Sequence, residues 1–436
     1  MKVCVVGLWH LGTVTAGCLA SAGHQVVGLD SDSENVQKLE EGQPPIFEPG
    51  LAELIQDGLN KGKLRFTVDM PEALLGAEIV WIAYDTPVDE EDRADVESVV
   101  DRIIRLFPYL ESDTLVLISS QLPVGTTRRI EDIYESTGLN KAVTFAYSPE
   151  NLRLGKAIQT FTQPDRVVAG VRSGADRRKV TELFRPFTDR IVWMSVESAE
   201  MTKHTLNAFL ATSITFINEL ATLCEQVGAD AKEVERGLKT DARIGPRAYL
   251  SPGTAFAGGT LARDLMFLTG IGAAHNRPTH LLSAVKKSND AHRQWTRHKL
   301  QSILGNLCGQ KVALWGLTYK PGTDTLRRSA SVELCEWLLG QGVSVRAHDP
   351  AVKILPGGLA QKVELEATPL AATTDAVALV VATEWPEYQF ISSQKVMSSM
   401  KASLVIDPNR FLVKTLGNDP RIRYITIGKP EKPHGQ

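Results

Sequence analysis

Short apolar runs alternate with amphipathic stretches over residues 1–195. KVCVVG predicts a strand, TVTAGCLASAG a helix and HQVVGLD a second strand. Five later runs also predict strands: EIVWIAY, TLVLISS, VTFAYSP, RVVAGV and RIVWMS. Helical stretches such as VESVVDRIIRLFPYL separate them. Strands that alternate with helices are typical of a doubly wound, mostly parallel sheet.

The pattern changes over residues 196–300, where no strand-like run occurs. The segment SAEMTKHTLNAFLATSITFINELATLCEQVG has helical periodicity and no proline, which predicts one extended helix. Strands then return as QKVALWGL, VSVRAHDP, AVALVVATEW, ASLVIDPNRFL and RIRYITIG, and the helix ASVELCEWLLGQG follows the first of them. We therefore predict an α/β chain with two doubly wound Rossmann-like domains, 1–195 and 301–436, joined by a long central helix in a helical middle domain, 196–300.

Length and composition indicate a globular protein of two or three domains. The 436 residues are 43% hydrophobic and carry a net charge of −3, which argues against nucleic acid or a membrane surface as the main partner. No signal peptide precedes the first strand, and no apolar run approaches the roughly 18 residues of a membrane span. The cysteines are far apart, with no CxxC, and we expect buried cytosolic thiols that form neither disulfides nor a metal site. They are Cys4, Cys18, Cys224, Cys308 and Cys335. We expect a cytoplasmic protein.

The residues GLWHLG lie between the first strand and the first helix, where a dinucleotide-binding protein carries G-x-G-x-x-G. Gly7 would provide the tight turn, and Gly12 the close packing of helix on strand. Asp30 ends the second strand, where the ribose hydroxyls of NAD would be held, and its charge disfavours the additional phosphate of NADP. Trp9 replaces the middle glycine, so its side chain must point away from the phosphates or cover them. The motif by itself is also compatible with a turn that binds nothing.

Further stretches occur in order along nearly the whole chain: PPIFEPGL (44–51), SPENL (148–152), MTKHTLNAFLA and DARIGPRAYLSPGTAFAGG in the middle region, GLTYKPGTDTLRRS (316–329), TEWPEY (383–388) and VIDPNR (405–410). Together with GLWHLG they resemble the UDP-glucose/GDP-mannose dehydrogenase family. The resemblance implies an N-terminal NAD-binding domain, a central helix that builds a homodimer, and a C-terminal domain for a nucleotide sugar (a UDP- or GDP-sugar). It also implies oxidation of a sugar primary alcohol to a carboxylate by two hydride transfers to NAD, through a thioester on a cysteine.

The catalytic residues implied by the resemblance are Glu150, Lys203, Asn207, Thr260 and Asp264. Glu150 would be a base that acts directly or through water. Lys203 and Asn207, spaced i, i+4 on one helix face, would stabilise an oxyanion, and Asp264 would orient water and the lysine. The residues alone leave other roles open: a solvated helix face for Lys203, a carboxylate bonded to backbone for Glu150 and a helix N-cap for Asp264.

Binding contacts follow from the same resemblance. Cofactor contacts are assigned to Gly7, Trp9, His10, Leu11, Gly12, Asp30, Thr86, Gln121 and Arg327. Substrate contacts are assigned to Leu152, Lys203, Asn207, Arg243, Tyr249, Phe256, Lys320 and Arg410, with Arg243 reaching the site of the partner subunit. Lys320 and Arg327 lie in a glycine-bearing loop after a strand, where cations can meet phosphate or carboxylate oxygens.

The catalytic stretch departs from the family pattern. It reads AFAGGTLARD where the family has GFGGSCFPKD, so Thr260 stands at the cysteine position and Arg263 at that of a lysine. Gln121 likewise replaces a threonine that orients water. A hydroxyl ionises far less readily than a thiol with its pKa of roughly 8.5, and no base is evident beside Thr260.

We therefore expect a single two-electron oxidation of an alcohol to a carbonyl. Two alternatives remain open from the sequence. The chain could be an inactive member that binds a nucleotide sugar or NAD as a regulatory or assembly subunit. It could also be a four-electron dehydrogenase that works without covalent catalysis.

Overall fold

The computed structural model describes residues 1–87, 89, 94–150, 152–256 and 259–431. Asn151 of the SPENL stretch, and Ala257 and Gly258 of the AFAGG stretch, lie outside these residues. The chain forms two compact units that divide after Leu206. The three domain boundaries expected from the sequence stay a prediction.

The first unit is built on an eight-stranded sheet of order β3-β2-β1-β4-β5-β6-β7-β8. Its strands are β1 (Lys2–Val6), β2 (Gln25–Leu29), β3 (Leu64–Thr67), β4 (Ile79–Ile82), β5 (Leu115–Ile118), β6 (Thr144–Tyr147), β7 (Val167–Gly170) and β8 (Ile191–Met194). Its helices are α1 (His10–Ser21), α2 (Ser33–Glu40), α3 (Leu51–Asn60), α4 (Met70–Leu74), α5 (Val96–Ile104), α6 (Thr126–Ser136), α7 (Ala157–Thr162) and α8 (Gly174–Phe184). Neighbouring strands are parallel except β6 and β7, which confirms the predicted mostly parallel sheet.

Helices cover both faces of this sheet, which explains why its central strands are apolar throughout. Every residue of β4 (IVWI) and of β5 (LVLI) is buried. Val14 and Leu19 of α1 belong to one apolar core, and Val99 and Ile103 of α5 belong to another. The carboxyl ends of parallel strands meet at one edge of a sheet. Residues that follow β1, β2, β4 and β5 are therefore brought to a common edge.

The extended helix predicted for the middle region is α9 (Val196–Val227), with 32 residues. The division between the two compact units falls within it. Several apolar side chains of α9 are exposed: Phe209 by 68%, Phe216 by 48%, Leu223 by 59% and Val227 by 76%. Against expectation, α9 is long and apolar enough to cross a membrane, but a helix packed inside a globular assembly meets the same criterion.

From Asn207 onward, the chain forms helices first and then a six-stranded parallel sheet of order β11-β10-β9-β12-β13-β14. The helices are α10 (Ala231–Thr240), α11 (Gly259–Ala274), α12 (His280–His292), α13 (Trp295–Leu304), α14 (Ala330–Gly340), α15 (Gly357–Ala360), α16 (Pro369–Ala372) and α17 (Ser393–Ser399). The strands are β9 (Lys311–Trp315), β10 (Ser344–His348), β11 (Val363–Leu365), β12 (Ala378–Val381), β13 (Leu404–Ile406) and β14 (Arg423–Ile425). This strand order is that of a Rossmann fold, which confirms the second predicted α/β region.

Some local expectations are wrong. The helix expected over VESVVDRIIRLFPYL ends at Ile104, and a 3-10 turn follows at Phe107–Tyr109 because Pro108 has no N–H to continue an α-helix. Helix α1 begins at His10, before Gly12. Cys308, in the connection before β9, is exposed, whereas the other four cysteines are buried as expected.

Candidate functional site

The turn between β1 and α1 has room for glycine alone at two positions. Gly7 has a φ of +91°, and an added Cβ would lie 2.6 Å from Cδ1 of Tyr84. A Cβ on Gly12 would lie 1.8 Å from the carbonyl oxygen of Gly7. The two glycines therefore permit the tight turn and the close approach of α1 to the sheet.

Asp30 follows β2 and closes this turn. Its Oδ2 accepts a hydrogen bond from the backbone N–H of Leu8 at 2.6 Å, and its Oδ1 accepts one from that of Asp32 at 3.1 Å. These bonds fix the carboxylate at the carboxyl edge of the sheet. It stands where an acid holds the ribose hydroxyls in a Rossmann fold.

Trp9 and His10 form the entrance to α1. Trp9 is the N-cap and is 48% exposed, and within residues 1–87 no side chain caps the helix. The first amides of α1 can therefore meet an anion, which the helix dipole favours. Nε2 of His10 lies 3.0 Å from Oε2 of Glu48, whose carboxylate also accepts from the backbone N–H groups of Gly155 and Ala157 at 2.7 and 2.8 Å.

Two more residues assigned to the cofactor meet in the first unit. Oγ1 of Thr86 donates to the carbonyl oxygen of Gln121 at 2.7 Å, and both residues are buried at the ends of β4 and β5. Leu11 is buried in α1. Glu48 was not singled out from the sequence, although it is the acid of PPIFEPGL and anchors His10.

Glu150 and Lys203 form an ion pair within the first unit. Nζ of Lys203 lies 3.1 Å from Oε1 of Glu150 and 2.5 Å from the Glu150 carbonyl oxygen. The other carboxylate oxygen accepts from the backbone N–H of Leu152 at 2.8 Å. Lys203 is only 6% exposed, so the solvated helix face is wrong for it. The Glu150 carboxylate accepts a backbone hydrogen bond, as the alternative role expected, and it also forms the ion pair with Lys203.

Asn207, one helical turn after Lys203 on α9, is buried and belongs to the second unit. Its Nδ2 donates to Oδ2 of Asp264, which is fully buried. Asp264 lies in the second turn of α11, so the N-cap role is wrong for it. The bond instead fixes the orientation of both side chains.

A cleft of about 860 Å³ lies in the second unit, and three of the predicted site residues line it: Tyr249, Phe256 and Thr260. Thr260 is the second residue of α11 and is exposed. Tyr319, Glu384 and Asn409 also line this cleft. Its volume is that of a site for a small molecule.

Asparagine side chains hold the loop 253–256 on the wall of this cleft. Oδ1 of Asn218 accepts from the first N–H of the loop at 3.0 Å, and Oδ1 of Asn409 from the second at 2.8 Å. Asn289 bonds both the N–H and the carbonyl oxygen of the fourth residue, at 3.0 and 3.1 Å. Sequence reasoning missed all three asparagines, because each holds backbone and none belongs to a recognisable spacing.

The remaining predicted contacts are cations of the second unit. The Arg243 side chain is 89% exposed and pairs with the aspartate two residues before it. Nη1 of Arg410 donates to Oδ1 of Asp230 at 2.6 Å, and Arg410 has a φ of +59°. Lys320 and Arg327 lie in the loop between β9 and α14, where Arg327 is exposed.

The second sheet repeats the glycine and acid of the first. Gly316, which follows β9, has a φ of +95°, and Oδ2 of Asp349 accepts from the backbone N–H of Leu317 at 2.7 Å. Asp349 is nevertheless a different kind of acid. Its Oδ2 also accepts from N and Oγ1 of Thr318 at 3.0 and 3.1 Å and from Nε1 of Trp385 at 3.1 Å, and the residue is 3% exposed. Asp349 is therefore saturated by its own domain.

No cysteine among the described residues lines the cleft. Cys4 and Cys18 lie in the core of the first unit, and Cys224 and Cys335 in that of the second. Burial raises the pKa of Cys4, Cys18 and Cys335 to about 12. The thiols of Cys4, Cys18 and Cys335 are thus neither placed nor ionised for attack on a ligand in the cleft.

Three models of the UDP-glucose/GDP-mannose dehydrogenase family match the chain in order. The NAD binding domain matches residues 1–188, the central domain matches residues 197–291 and the UDP binding domain matches residues 313–414.

Full-length relatives and solved structures agree with these matches. The UDP-glucose 6-dehydrogenase of Pseudomonas aeruginosa is 35% identical over 449 residues, covering 100% of this chain and 99% of that protein. The UDP-glucose 6-dehydrogenase of Rhizobium meliloti is 35% identical over 438 residues, covering 99% and 100%. A UDP-glucose dehydrogenase structure from Pyrobaculum islandicum superimposes with a TM-score of 0.88 at 28% identity, covering 98% of both chains.

Proposed function

The chain belongs to the UDP-glucose/GDP-mannose dehydrogenase family and is an NAD-dependent dehydrogenase acting on a CH–OH group of a nucleotide sugar; we propose that it carries out one two-electron oxidation. The alcohol carbon loses a hydride and the hydroxyl loses a proton, which leaves a carbonyl product. The observation that carries the proposal is Thr260, a hydroxyl at the family's cysteine position on the wall of the cleft.

The residues at the entrance of α1 fit NAD. Gly7 and Gly12 leave the turn without side chains, the helix N-terminus offers amides to a pyrophosphate, and Asp30 offers acceptors to the ribose hydroxyls. His10, held by Glu48, and the exposed indole of Trp9 would flank the phosphates. Bound NAD supplies the acceptor for the hydride. The charge of Asp30 disfavours the extra phosphate of NADP.

Glu150 and Lys203 supply the proton chemistry in this proposal. The Glu150 carboxylate takes the hydroxyl proton directly or through water. The Lys203 ammonium, buried beside it, stabilises the negative charge that develops on the oxygen. Asn207 adds an amide whose orientation is fixed by its bond to Asp264.

A second oxidation would need the carbonyl to be held as a covalent adduct or a hydrate. Thr260 is a weak nucleophile at neutral pH. Arg263 and Gln121 also stand where the family has a lysine and a water-orienting threonine. The proposed reaction therefore stops at the carbonyl, and the acid-forming route is the alternative.

Product stoichiometry tests the proposal. The purified protein is given NAD and a panel of UDP- and GDP-sugars, and NADH and products are quantified by absorbance and mass spectrometry. One NADH per carbonyl product supports a single oxidation, whereas two NADH per uronic acid overturn it. Tight binding of a nucleotide sugar without NADH would instead establish the inactive binding subunit.

We also propose a homodimer formed through α9. Phe209, Phe216 and Leu223 recur every seven residues on this helix and are all substantially exposed. An exposed apolar stripe on a helix is stabilised when an apolar surface covers it. A second copy of α9 provides such a surface with the same spacing. In this dimer the exposed guanidinium of Arg243 would reach the nucleotide sugar of the partner subunit. Four buried cysteines fit a reducing compartment, and we place the protein in the cytoplasm.

A further inference from the structure

Glu384 is an acidic residue on the wall of the cleft, and the proposed chemistry does not use it. It follows β12, lies in the stretch TEWPEY and is half-buried. Burial raises the pKa of its carboxyl group, and a hydrogen bond from the Asn409 side chain acts in the opposite direction. A partly buried carboxylate is stabilised by hydrogen-bond donors, and a bound ligand can add to those of the protein.

The amide oxygen of Asn409 is already engaged, so this side chain meets its other neighbours as a donor. Its Oδ1 accepts from the backbone N–H of Thr254 at 2.8 Å, which turns the amide nitrogen toward the carboxylate and toward Oγ1 of Thr254 at 3.5 Å. The arrangement is tight, because a Cβ on Gly253 would lie 2.4 Å from the same Oδ1. Asn409 therefore lies beside Glu384 on the cleft wall, with its amide nitrogen left to donate to the carboxylate.

No cation in the described part of the chain forms a salt bridge with Glu384. Lys232 lies within electrostatic range, but its ammonium is bound to Oε2 of Glu235 at 3.0 Å and to the hydroxyl of Ser251 at 2.5 Å. An ionised carboxylate can accept about four hydrogen bonds. Glu384 thus has acceptor capacity to spare in a cleft that takes a ligand.

The parts of a nucleotide sugar differ in what they offer a carboxylate. The pyrophosphate is repelled by it. A uracil edge offers one N–H between two carbonyl oxygens, whereas the guanine edge of a GDP-sugar offers two adjacent N–H donors. Vicinal hydroxyls offer two adjacent donors, which a carboxylate can accept together, as acids do in dinucleotide sites. Both the ribose and the hexose carry such hydroxyls. Glu384, Asn409 and Tyr319 lie within residues 313–414, which match the UDP binding domain, and this favours the ribose.

We propose that Glu384, positioned by Asn409, binds the 2′,3′-hydroxyls of the nucleotide ribose and so selects ribonucleotides over deoxyribonucleotides. The inference rests on the proposed function, because it requires that the cleft take a nucleotide sugar. It adds a specificity-determining residue outside the reacting group.

The first test changes only the ligand. Calorimetry compares UDP with 2′-deoxy-UDP, and GDP with 2′-deoxy-GDP, on the unaltered protein with NAD present. Hydrogen bonds to a charged group predict that the deoxy form of the preferred nucleotide binds about 10- to 100-fold more weakly. UDP and GDP carry no hexose, so any difference belongs to the ribose. Equal binding of both forms overturns the proposal.

The second test changes the protein. Glu384→Gln should weaken UDP binding more than it weakens 2′-deoxy-UDP binding, because the deoxy form has only its 3′-hydroxyl bond to lose. The ratio of the two affinities should therefore fall toward one. Glu387→Gln, an exposed acid three residues later, is the matched control and should change neither affinity. If Glu384→Gln weakens UDP-glucose but not UDP, the carboxylate binds the hexose and the proposal is wrong. If the unaltered protein binds neither UDP nor GDP nor their sugars, the proposed function itself fails.

Discussion

Nζ of Lys203 lies 3.1 Å from Oε1 of Glu150, although 53 residues separate them along the chain. The lysine comes from α9, and the acid lies three residues after the end of β6. Lys203 is buried and Glu150 is partly exposed, so loss of the acid would leave a buried ammonium without its counter-ion. The pair therefore contributes to the stability of the first unit, and the proposed chemistry uses both of its side chains.

Replacing Lys203 should cost more in turnover than in cofactor binding. We expect Lys203→Met to lower kcat about 10²- to 10³-fold, the scale for removing one charge-stabilising group. The dissociation constant for NAD, measured by calorimetry, should stay unchanged. Lys38→Met, at an exposed surface lysine, is the control and should keep full activity. A kcat of Lys203→Met near that of the unaltered protein would remove the lysine from the mechanism.

Thr260 can be tested in both directions. Thr260→Ala should retain most activity, with a loss below about tenfold, because the hydroxyl forms only part of the cleft wall. Thr260→Cys restores a nucleophile that ionises far more readily, and a slow second NADH with some acid product is expected. Thr240→Cys, on an exposed part of α10, controls for the new thiol. Loss of all activity in Thr260→Ala would show that the hydroxyl is itself catalytic.

Trp9 occupies the position where the middle glycine is expected, yet its backbone needs no glycine, since its φ is −82°. Trp9→Gly should therefore leave the affinity for NAD unchanged or increase it, and NADP should bind more weakly than NAD in both proteins because of Asp30. Calorimetry measures all four affinities. Complete loss of NAD binding in Trp9→Gly would mean that the indole itself holds the cofactor.

The proposed dimer depends on the exposed apolar stripe of α9. Phe209→Asp should give a monomer by light scattering at micromolar concentration, because an aspartate would be buried without a partner in the interface. Leu75→Asp is a matched control on the first unit, with 69% exposure against 68% for Phe209. A monomeric unaltered protein would contradict the dimer outright.

Glu384 also predicts a pH dependence of stability. Burial raises the pKa of its carboxyl group in the folded protein, so the folded state holds the proton more tightly than the unfolded chain does. The contribution of Glu384 to the free energy of unfolding is fully present below the pKa of the carboxyl group in the unfolded chain, about 4.3. This contribution is lost as the pH rises through the higher pKa of the folded protein.

Glu384→Gln does not titrate. The Tm of this variant minus that of the unaltered protein should therefore increase between about pH 4 and pH 7. Thermal melts at several pH values measure the difference, with Glu387→Gln as the control. A difference that stays constant with pH would contradict the effect of burial.

The sequence predicts the strands and the long helix because apolar periodicity decides both. Runs such as IVWI and LVLI are buried on two sides, and α9 continues for 32 residues without a proline. Where a proline interrupts a helical pattern, the helix predicted from periodicity is too long. The helix expected to pass Pro108 ends at Ile104 for this reason.

Side-chain roles were harder to predict, since they depend on contacts far apart in sequence. The i, i+4 spacing of Lys203 and Asn207 gives a shared helix face but not burial, and burial decides against a solvated face. Asp264 resembles a helix cap in sequence, but it lies one turn further into α11. Glu48 and Asn289 act on backbone groups, and no spacing marks such a role.

The hydrogen bonds of Asp349 in the second sheet indicate which property a substitution at this position would affect. Asp30 accepts hydrogen bonds from two backbone amides, and its proposed further partner is the ribose of NAD. A substitution there should therefore weaken cofactor binding more than it weakens folding. Asp349 accepts five hydrogen bonds from its own domain. A substitution there should destabilise the domain and make it more susceptible to proteolysis, with or without a bound ligand. Substitution at two positions with the same place in the same fold should thus affect different properties, cofactor affinity at Asp30 and folding stability at Asp349.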